Sequence, residues 1–227
     1  SRSMPVGGNA LYLASKKFLE NTKECLANYL KTKADKISYK EGFFNFETKQ
    51  FSLSDLTQLF DVNKVLKVDA DWTPKSGTYT YPNGAHICEL EIDKHTGVVK
   101  ILNYTVVDDF GKVINPLLLE GQVHGGIAQG IGQAILEDTI YDDETGQLLS
   151  GSFMDYAIPR ASDIPSIKFS YNEILCNSNP LGIKGAGEAG AIGAPPAVIN
   201  AICNALNIYH IDMPAKPEKI WHILVSK

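Results

Sequence analysis

The chain has 227 residues, of which 44% are hydrophobic and 21% are charged, and its formal net charge is −5. This length and balance are typical of a globular protein with one or two domains and a substantial core. The negative charge disfavours a nucleic-acid-binding protein, which needs a basic surface, and no uninterrupted apolar run in the sequence is long enough to span a bilayer.

The first part of the sequence predicts one long amphipathic helix followed by short strands. Apolar residues recur at helical spacing over residues 10–30, with lysines and glutamates between them. Residues 37–46 and 50–53 have the pattern of a short hairpin. Ser54 is a suitable N-cap for a short helix over residues 55–60.

A β-hairpin is predicted in the middle of the chain. Residues 85–93 alternate and are rich in strand-forming residues, Thr96-Gly97 is a turn signal, and residues 98–107 form the returning strand. The turn-rich segment 72–84 precedes the hairpin and is the candidate junction between two subdomains.

A long helix predicted over residues 117–138 is unusually rich in glycine. Each glycine inside a helix costs about 0.5–1 kcal/mol relative to alanine. A helix carries such residues where another group must come very close to its backbone. Two explanations are open, namely close packing of a neighbouring helix and a bound cofactor. The glycines are Gly121, Gly125, Gly126, Gly130 and Gly132.

The last third of the sequence predicts a surface turn, short strands and two further helices. The turn lies at residues 142–146, the strands near 152–158 and 167–171, and the helices at 197–208 and 217–223. All these elements together predict an α+β fold with mixed sheets and packed helices, including at least three helices of about ten residues or more.

The segment from Leu181 to Gly190 is the stretch around which we expect the function to be organised. It contains one carboxylate, Glu188, and one lysine, Lys184, among four glycines, ahead of an apolar run typical of a helix. Glycines let backbone N–H groups approach a bound group, and a helix start favours an anion. The alternative is a glycine-rich turn with a solvated glutamate. The order of Lys184 and the glycines does not match the phosphate-binding loop of nucleoside triphosphatases.

The cysteines and histidines do not form a recognisable metal-binding pattern. Four cysteines are scattered without CxxC pairing, and the five histidines form no close pair. We therefore expect no metal ion held by protein side chains. Scattered thiols are typical of small buried residues in a reducing compartment, so we expect a cytoplasmic protein.

Three motifs carry a resemblance to a known family. They are VDDFG followed by INP at residues 107–116, EGQVHGGIAQGIG at 120–132 and KGAGE at 184–188. YPNGAH at 81–86 and SRS at 1–3 match as well. In order and spacing these motifs resemble the molybdopterin-binding subunit of the molybdenum hydroxylases, the family of xanthine dehydrogenase, aldehyde oxidase and aerobic carbon monoxide dehydrogenase.

The resemblance implies that residues 1–227 are the C-terminal fragment of a molybdopterin-binding domain, because the family's subunit is much longer. In the family the cofactor lies between this region and the rest of the subunit. We therefore expect the chain by itself to lack the cofactor and turnover.

The resemblance also implies roles for individual residues. Glu188 matches the catalytic glutamate, a general base toward the oxygen nucleophile, and Gln129 matches a glutamine whose amide donates toward the metal centre. Lys184 would support the cofactor's phosphate. Weaker candidates, expected to shape the loops, are Asp109, Asn115, Gln122 and His124. The full set expected to bind cofactor is Gln129, Gly130, Lys184, Gly185, Ala186 and Gly187, together with Ser1, Arg2 and Ser3 at its pterin or phosphate end.

The implied cofactor is molybdenum–molybdopterin, with the cytosine dinucleotide form as an option. The implied enzyme hydroxylates an aldehyde or N-heterocycle with oxygen from water, or oxidises carbon monoxide. Its electrons leave through iron–sulfur and FAD subunits or domains. The alternative is a non-catalytic scaffold or assembly module that retains the fold.

Overall fold

The structure is a computed structural model that describes residues 2–61, 71, 73 and 79–226, and the chain forms two compact units. The smaller unit contains Arg2–Tyr79 and Ser178–Leu181, and the larger unit contains Thr80–Asn177 together with the chain from Gly182 onward. The boundary between Tyr79 and Thr80 falls inside the candidate junction 72–84, of which residues 72 and 74–78 lie outside the described residues.

Within its described residues, the smaller unit packs two α-helices and a three-stranded antiparallel sheet around one apolar core. A π-helical turn, Ser3–Gly8, leads directly into the first helix. The elements are α1 (Asn9–Leu30), β1 (Ser38–Lys40), β2 (Phe43–Phe46), β3 (Lys49–Ser52) and α2 (Leu53–Leu59). Leu26, Ile37 and Phe44 are fully or almost fully buried at its centre. The helical spacing of residues 10–30 therefore located α1 to within one residue.

Two local predictions in this unit need correction. Residues 37–46 form two strands, because Glu41 and Gly42 both adopt positive φ and turn the chain between them. Ser52, two residues before the predicted Ser54, caps α2. Its hydroxyl accepts the Asp55 backbone N–H at 3.1 Å, and the Asp55 carboxylate accepts the Ser52 backbone N–H at 2.8 Å.

The larger unit contains a three-stranded mixed sheet in the order β4-β5-β6. The strands are β4 (Asn83–Ile92), β5 (Val99–Asp109) and β6 (Ile167–Asn172). β4 and β5 form the predicted hairpin, in which Gly97 has φ +74° and donates its N–H to the Asp93 carbonyl at 2.7 Å. β6 runs parallel to β5, so the prediction of mixed sheets is confirmed.

Three helices complete the larger unit: α3 (Pro116–Ile135), α4 (Ala189–Leu206) and α5 (Pro217–Val225). The described residues thus contain the three long helices that the sequence predicted, namely α1, α3 and α4. α4 begins eight residues before the predicted start at Ala197 and carries Pro195 and Pro196 inside it. Packing of residues 189–194 on α3 outweighs the helix-breaking tendency of the two prolines.

The strand predicted at residues 152–158 is wrong. This segment turns at Ser152, whose carbonyl accepts the N–H groups of Asp155 at 3.0 Å and Tyr156 at 2.8 Å. The Ser152 hydroxyl also donates to the Asp155 carboxylate, so local hydrogen bonds replace strand pairing. Phe153 and Met154, with 83% and 93% exposure, contribute little to the core.

The core of the larger unit lies between the sheet and the helices α3 and α4. Tyr104 and Val106 from β5, Ile127 from α3 and Val198 and Ile202 from α4 are fully buried. α4 alone among the described helices is long and apolar enough to cross a membrane by length and composition. Its buried residues belong to this core, as in the central helix of a globular domain.

Candidate functional site

The loop that leads to Glu188 is fastened by its backbone to the end of β5. The Lys184 N–H donates to the Phe110 carbonyl at 2.9 Å, and the Lys112 N–H donates to the Gly182 carbonyl at 2.9 Å. Gly111 and Gly182 have φ of +64° and +69°, a conformation that glycine adopts without steric cost. The loop therefore follows a path set by backbone hydrogen bonds.

Asp109, the last residue of β5, holds the loop by a second, ionic contact. Its carboxylate pairs with the Lys184 ammonium and also accepts the N–H groups of Gly111 at 2.8 Å and Ile174 at 3.1 Å. The side chains of Lys184 and Asp109 are only 11% and 6% exposed. Burial alone would raise the pKa of Asp109, but the Lys184 ammonium and the two backbone donors hold that pKa below its ordinary value.

This ion pair gives Lys184 a setting different from the expected one. The resemblance implied that the ammonium supports a cofactor phosphate, whereas the structure places it against Asp109. Asp109, a minor candidate in the sequence, thus emerges as the main side-chain partner of the loop.

Glu188 occupies the N-cap position of α4, and its side chain is exposed. Its carbonyl accepts the Ile192 N–H at 2.9 Å. The residue before it is fixed by α3, because the Gln122 side-chain amide donates to the Gly187 carbonyl at 2.9 Å. The loop therefore presents an exposed carboxylate from a backbone that is anchored immediately before it.

The residues after Glu188 are fixed by direct backbone packing. A Cβ added to Gly190 would lie 2.7 Å from the Ile127 nitrogen of α3, and one added to Gly126 would lie 3.0 Å from the Ala191 nitrogen of α4. A side chain at Gly190 would therefore collide with the backbone of α3, and one at Gly126 would be very tight. The absence of side chains at these two glycines lets the backbones of α3 and α4 approach each other, which fixes the start of α4 against α3.

The five glycines of α3 fall into two groups, and close packing, one of the two explanations left open by the sequence, accounts for three of them. Gly126, Gly130 and Gly132 pack closely; a Cβ on Gly130 would lie 2.7 Å from the Ala194 Cβ, and one on Gly132 would lie 2.6 Å from the Pro159 Cγ. Gly121 and Gly125 have no neighbouring atom within 4 Å of an added Cβ. Packing inside the described residues therefore does not account for these two.

Gly121 and Gly125 lie on an exposed strip of α3 that we call the open face, made of Gly121, Gln122, Gly125 and Gln129. Helical spacing aligns Gln122, Gly125 and Gln129 on one side over about 10 Å of helix. Gln122 also contacts the Glu188 loop. The open face is thus a backbone surface without bulky side chains beside an exposed carboxylate.

The remaining predicted site residues are distributed as follows. Gly185 is buried, Ala186 is half-buried and Gly187 is exposed, so the loop emerges toward solvent as it approaches Glu188. Gly130, expected at the cofactor, is buried against α4. Arg2 and Ser3 belong to the smaller unit, and Ser1 lies outside the described residues.

Two of the minor candidates have structural roles. The Asn115 side chain caps α3 by accepting the Leu118 N–H at 3.1 Å. The His124 ring packs edge-on against Phe169, with ring centroids 6.3 Å apart. Both residues shape the surroundings of the open face.

A buried polar cluster in the larger unit was missed by sequence reasoning. The Nδ1 of His86 lies 2.8 Å from the Tyr104 hydroxyl, and its Nε2 lies 3.4 Å from the Asp108 carboxylate. The ring also faces α4 at Gly193, where a Cβ would come within 2.6 Å of it. Burial raises the pKa of Tyr104, and the nearby Cys88 and Asp108 raise it further. Consecutive aspartates at the end of a strand were the available signal, because strand alternation sends them to opposite faces.

The model of the molybdopterin cofactor-binding domain family matches residues 1–165 of the chain. The chain therefore belongs to this family of the molybdenum hydroxylases. The carbon monoxide dehydrogenase large chain of Afipia carboxidovorans is 31% identical over 240 residues, covering 98% of this chain and 29% of that protein. The gamma subunit of the 6-hydroxypseudooxynicotine dehydrogenase complex of Paenarthrobacter nicotinovorans is 32% identical, covering 97% and 29%.

Solved structures agree with this assignment. Reconstituted carbon monoxide dehydrogenase from Oligotropha carboxidovorans superimposes with a TM-score of 0.86 at 29% identity, covering 99% of this chain and 29% of that one. Quinoline 2-oxidoreductase from Pseudomonas putida 86 gives a TM-score of 0.78 at 29% identity, covering 97% and 29%. The chain thus spans less than a third of the length of these relatives.

Proposed function

We propose that the chain is the part of a molybdenum hydroxylase catalytic subunit that presents the general base, Glu188, to a cofactor lying on the open face. The observation that carries this proposal is the pairing of an anchored, exposed carboxylate with a glycine-lined strip that nothing in the described residues covers. The family membership supplies the identity of the cofactor as molybdenum–molybdopterin.

The residues present fit such a cofactor. Gly121 and Gly125 expose helix backbone that a flat molecule can approach, and the exposed Gln129 amide offers hydrogen-bond donors on the same strip. The exposed end of the loop at Gly187 lies beside the same strip, because its carbonyl accepts the Gln122 amide. The bound cofactor supplies the redox chemistry, and these residues would bind and orient it.

Glu188 would take up a proton from the water-derived nucleophile during attack on the substrate. A general base must be held within hydrogen-bond reach of its proton, and Glu188 is fixed at Gly187 by Gln122 and at Gly190 by α3. Gln129 would orient the metal centre through its amide N–H. Positioning of this kind accounts for a large share of catalytic power.

The full assembly is part of the proposal. The names of the relatives, a large chain and a subunit gamma, describe chains that belong to larger complexes. We propose that the rest of the molybdenum-binding subunit, together with iron–sulfur and FAD subunits, completes the enzyme in the cytoplasm. We also propose the cytosine dinucleotide form of the cofactor and a small-molecule substrate drawn from carbon monoxide, aldehydes and N-heterocycles.

The test is Glu188→Gln in the complete enzyme. The amide keeps the size and hydrogen bonding of the side chain but cannot accept the proton. The limiting rate of enzyme reduction should fall about 10²-fold or more, while molybdenum content stays at the wild-type value. Reduction is followed by stopped-flow absorbance with carbon monoxide, an aldehyde and an N-heterocycle, and molybdenum by elemental analysis. A fully loaded variant that is reduced at the normal rate would contradict the assignment of Glu188 as the general base.

A further inference from the structure

The buried pair of Asp109 and Lys184 is a charged contact that the proposed chemistry does not use. Lys184 lies four residues before Glu188, and Asp109 is the last residue of β5, to whose end the loop is hydrogen-bonded. The two side chains are almost completely buried. A buried ion pair is not a strong source of stability in general, so its position calls for a specific explanation.

The hydrogen bonds of Asp109 show what the pair connects. One oxygen accepts the N–H of Gly111, which continues the chain beyond β5, and the N–H of Ile174, which follows β6. The other oxygen takes the Lys184 ammonium. One carboxylate therefore gathers three segments, and Lys184 is the side chain by which the Glu188 loop joins them.

The same contacts oppose direct recognition of the cofactor by Lys184. Its ammonium is engaged by Asp109 and its side chain is 11% exposed, whereas a phosphate-binding lysine must offer its charge to the ligand. Paired with a carboxylate, Lys184 brings no net charge to the loop.

We propose that Asp109 and Lys184 are positioning residues that fix the start of the loop, so that Glu188 is presented at a constant distance from the cofactor. The inference rests on the proposed function of Glu188. It assigns to the pair a role in the rate of the chemical step, and it assigns Lys184 no contact with the cofactor phosphate.

The two partners can be tested singly and together in the complete enzyme. Asp109→Asn keeps an oxygen for Gly111 and Ile174 but leaves the ammonium buried without a counter-charge. Lys184→Met removes the ammonium and leaves a carboxylate that still accepts two N–H groups. Removing one partner of a buried pair is costly, whereas replacing both with neutral groups of similar size is often close to neutral. The double variant should therefore recover what Asp109→Asn loses.

The expected results follow from displacement of the loop. Asp109→Asn should lower the limiting rate of reduction by about 10²-fold, because small misplacements of a catalytic group have effects of that size, with little change in the apparent substrate Kd. Lys184→Met should lower it less, and the double variant should return within a few-fold of wild type. Hydrogen exchange of residues 182–187 should accelerate in Asp109→Asn and return to normal in the double variant.

An exposed ion pair provides the matched control. The Lys100 Nζ lies 3.5 Å from the Glu91 Oε1 on the hairpin, and the two side chains are 72% and 58% exposed. Lys100→Met should match wild type in reduction rate, exchange and molybdenum content, because exposed pairs contribute little. Effects of Lys100→Met equal to those of Asp109→Asn would overturn the proposal.

Molybdenum content and additivity decide between the alternatives. If the double variant is as impaired as the sum of the single variants, the pair does not act as a unit and the proposal fails. If Lys184→Met and the double variant both lose their molybdenum, Lys184 binds the cofactor phosphate and the proposal fails. If the Asp109→Asn protein fails to accumulate in cells, recovery of an active double variant supports the proposal. Failure to recover an active double variant refutes it. The exchange measurement is independent of turnover, so failure of the Glu188 assignment would be recognised separately.

Discussion

Gly125→Ala distinguishes a cofactor-binding face from an ordinary exposed helix surface. An added Cβ at Gly125 meets nothing within 4 Å, so the methyl group enters open space in the chain itself. In the exposed interior of a helix, alanine is more favourable than glycine by about 1 kcal/mol. We therefore expect Gly125→Ala to raise the free energy of unfolding of the chain by about 0.5–1 kcal/mol.

Gly130→Ala is the matched control on the same helix. Its Cβ would lie 2.7 Å from the Ala194 Cβ and 2.9 Å from the Pro195 Cδ, both in the buried contact with α4. Overpacking of this kind destabilises a protein by about 1–3 kcal/mol. The same substitution five residues apart should thus change stability in opposite directions. Urea unfolding followed by circular dichroism measures both changes.

In the complete enzyme, the substitution that stabilises the chain at Gly125 should weaken cofactor binding. If the cofactor lies against the open face, the new methyl group occupies its place and weakens its binding by about tenfold or more. Molybdenum per polypeptide should fall although the chain itself is more stable. Normal molybdenum content in a stabilised Gly125→Ala enzyme would show that the cofactor does not lie against the open face. Destabilisation of the chain by Gly125→Ala would show that the strip is covered from within.

Three further outcomes are expected. Gly193→Ala should destabilise the chain by about 1–3 kcal/mol, because the His86 ring is held by Tyr104 and cannot move aside; thermal unfolding compared with Ile192→Ala, an exposed neighbour, measures this. Asn115→Ala should remove the N-cap of α3 and lower stability by about 1 kcal/mol, and Asn115→Asp should restore it. Asp109, whose pKa is lowered by folding, should contribute stability that is present above pH 4 and is lost as the pH falls through its lowered value, so Asp109→Asn should flatten the acid limb of a stability–pH curve.

Elements that depend on local pattern were predictable from the sequence. The hairpin at Thr96-Gly97 and the helix α1 follow from strand alternation, a glycine turn and helical spacing within a few residues. The start of α4 was missed because its two prolines argue against a helix, while the stabilising contact with α3 comes from residues more than sixty positions away. Local propensity is a weak guide where such packing decides.

The candidate site shows the same division. The placement of Glu188 in a glycine-rich loop was visible in the sequence, and the exposed carboxylate ahead of α4 agrees with it. The partner of Lys184 lies 75 residues earlier, and no spacing rule connects the two. Sorting the glycines of α3 likewise required the position of the facing helix, since Gly125 and Gly126 are adjacent in sequence but have opposite surroundings.

The glycine contact between α3 and α4 has a consequence for how enzymes of this family diversify. The flanks of Glu188 rest on main-chain atoms of Gly126 and Gly190, whose geometry does not depend on which side chains surround them. Substitutions elsewhere can therefore accumulate without moving the Glu188 carboxylate. Relatives named for carbon monoxide, nicotine and xanthine share about a third of their residues with this chain. Under the proposed function, a base held in this way can serve many substrates, so selection among them would fall to pocket walls that other segments build.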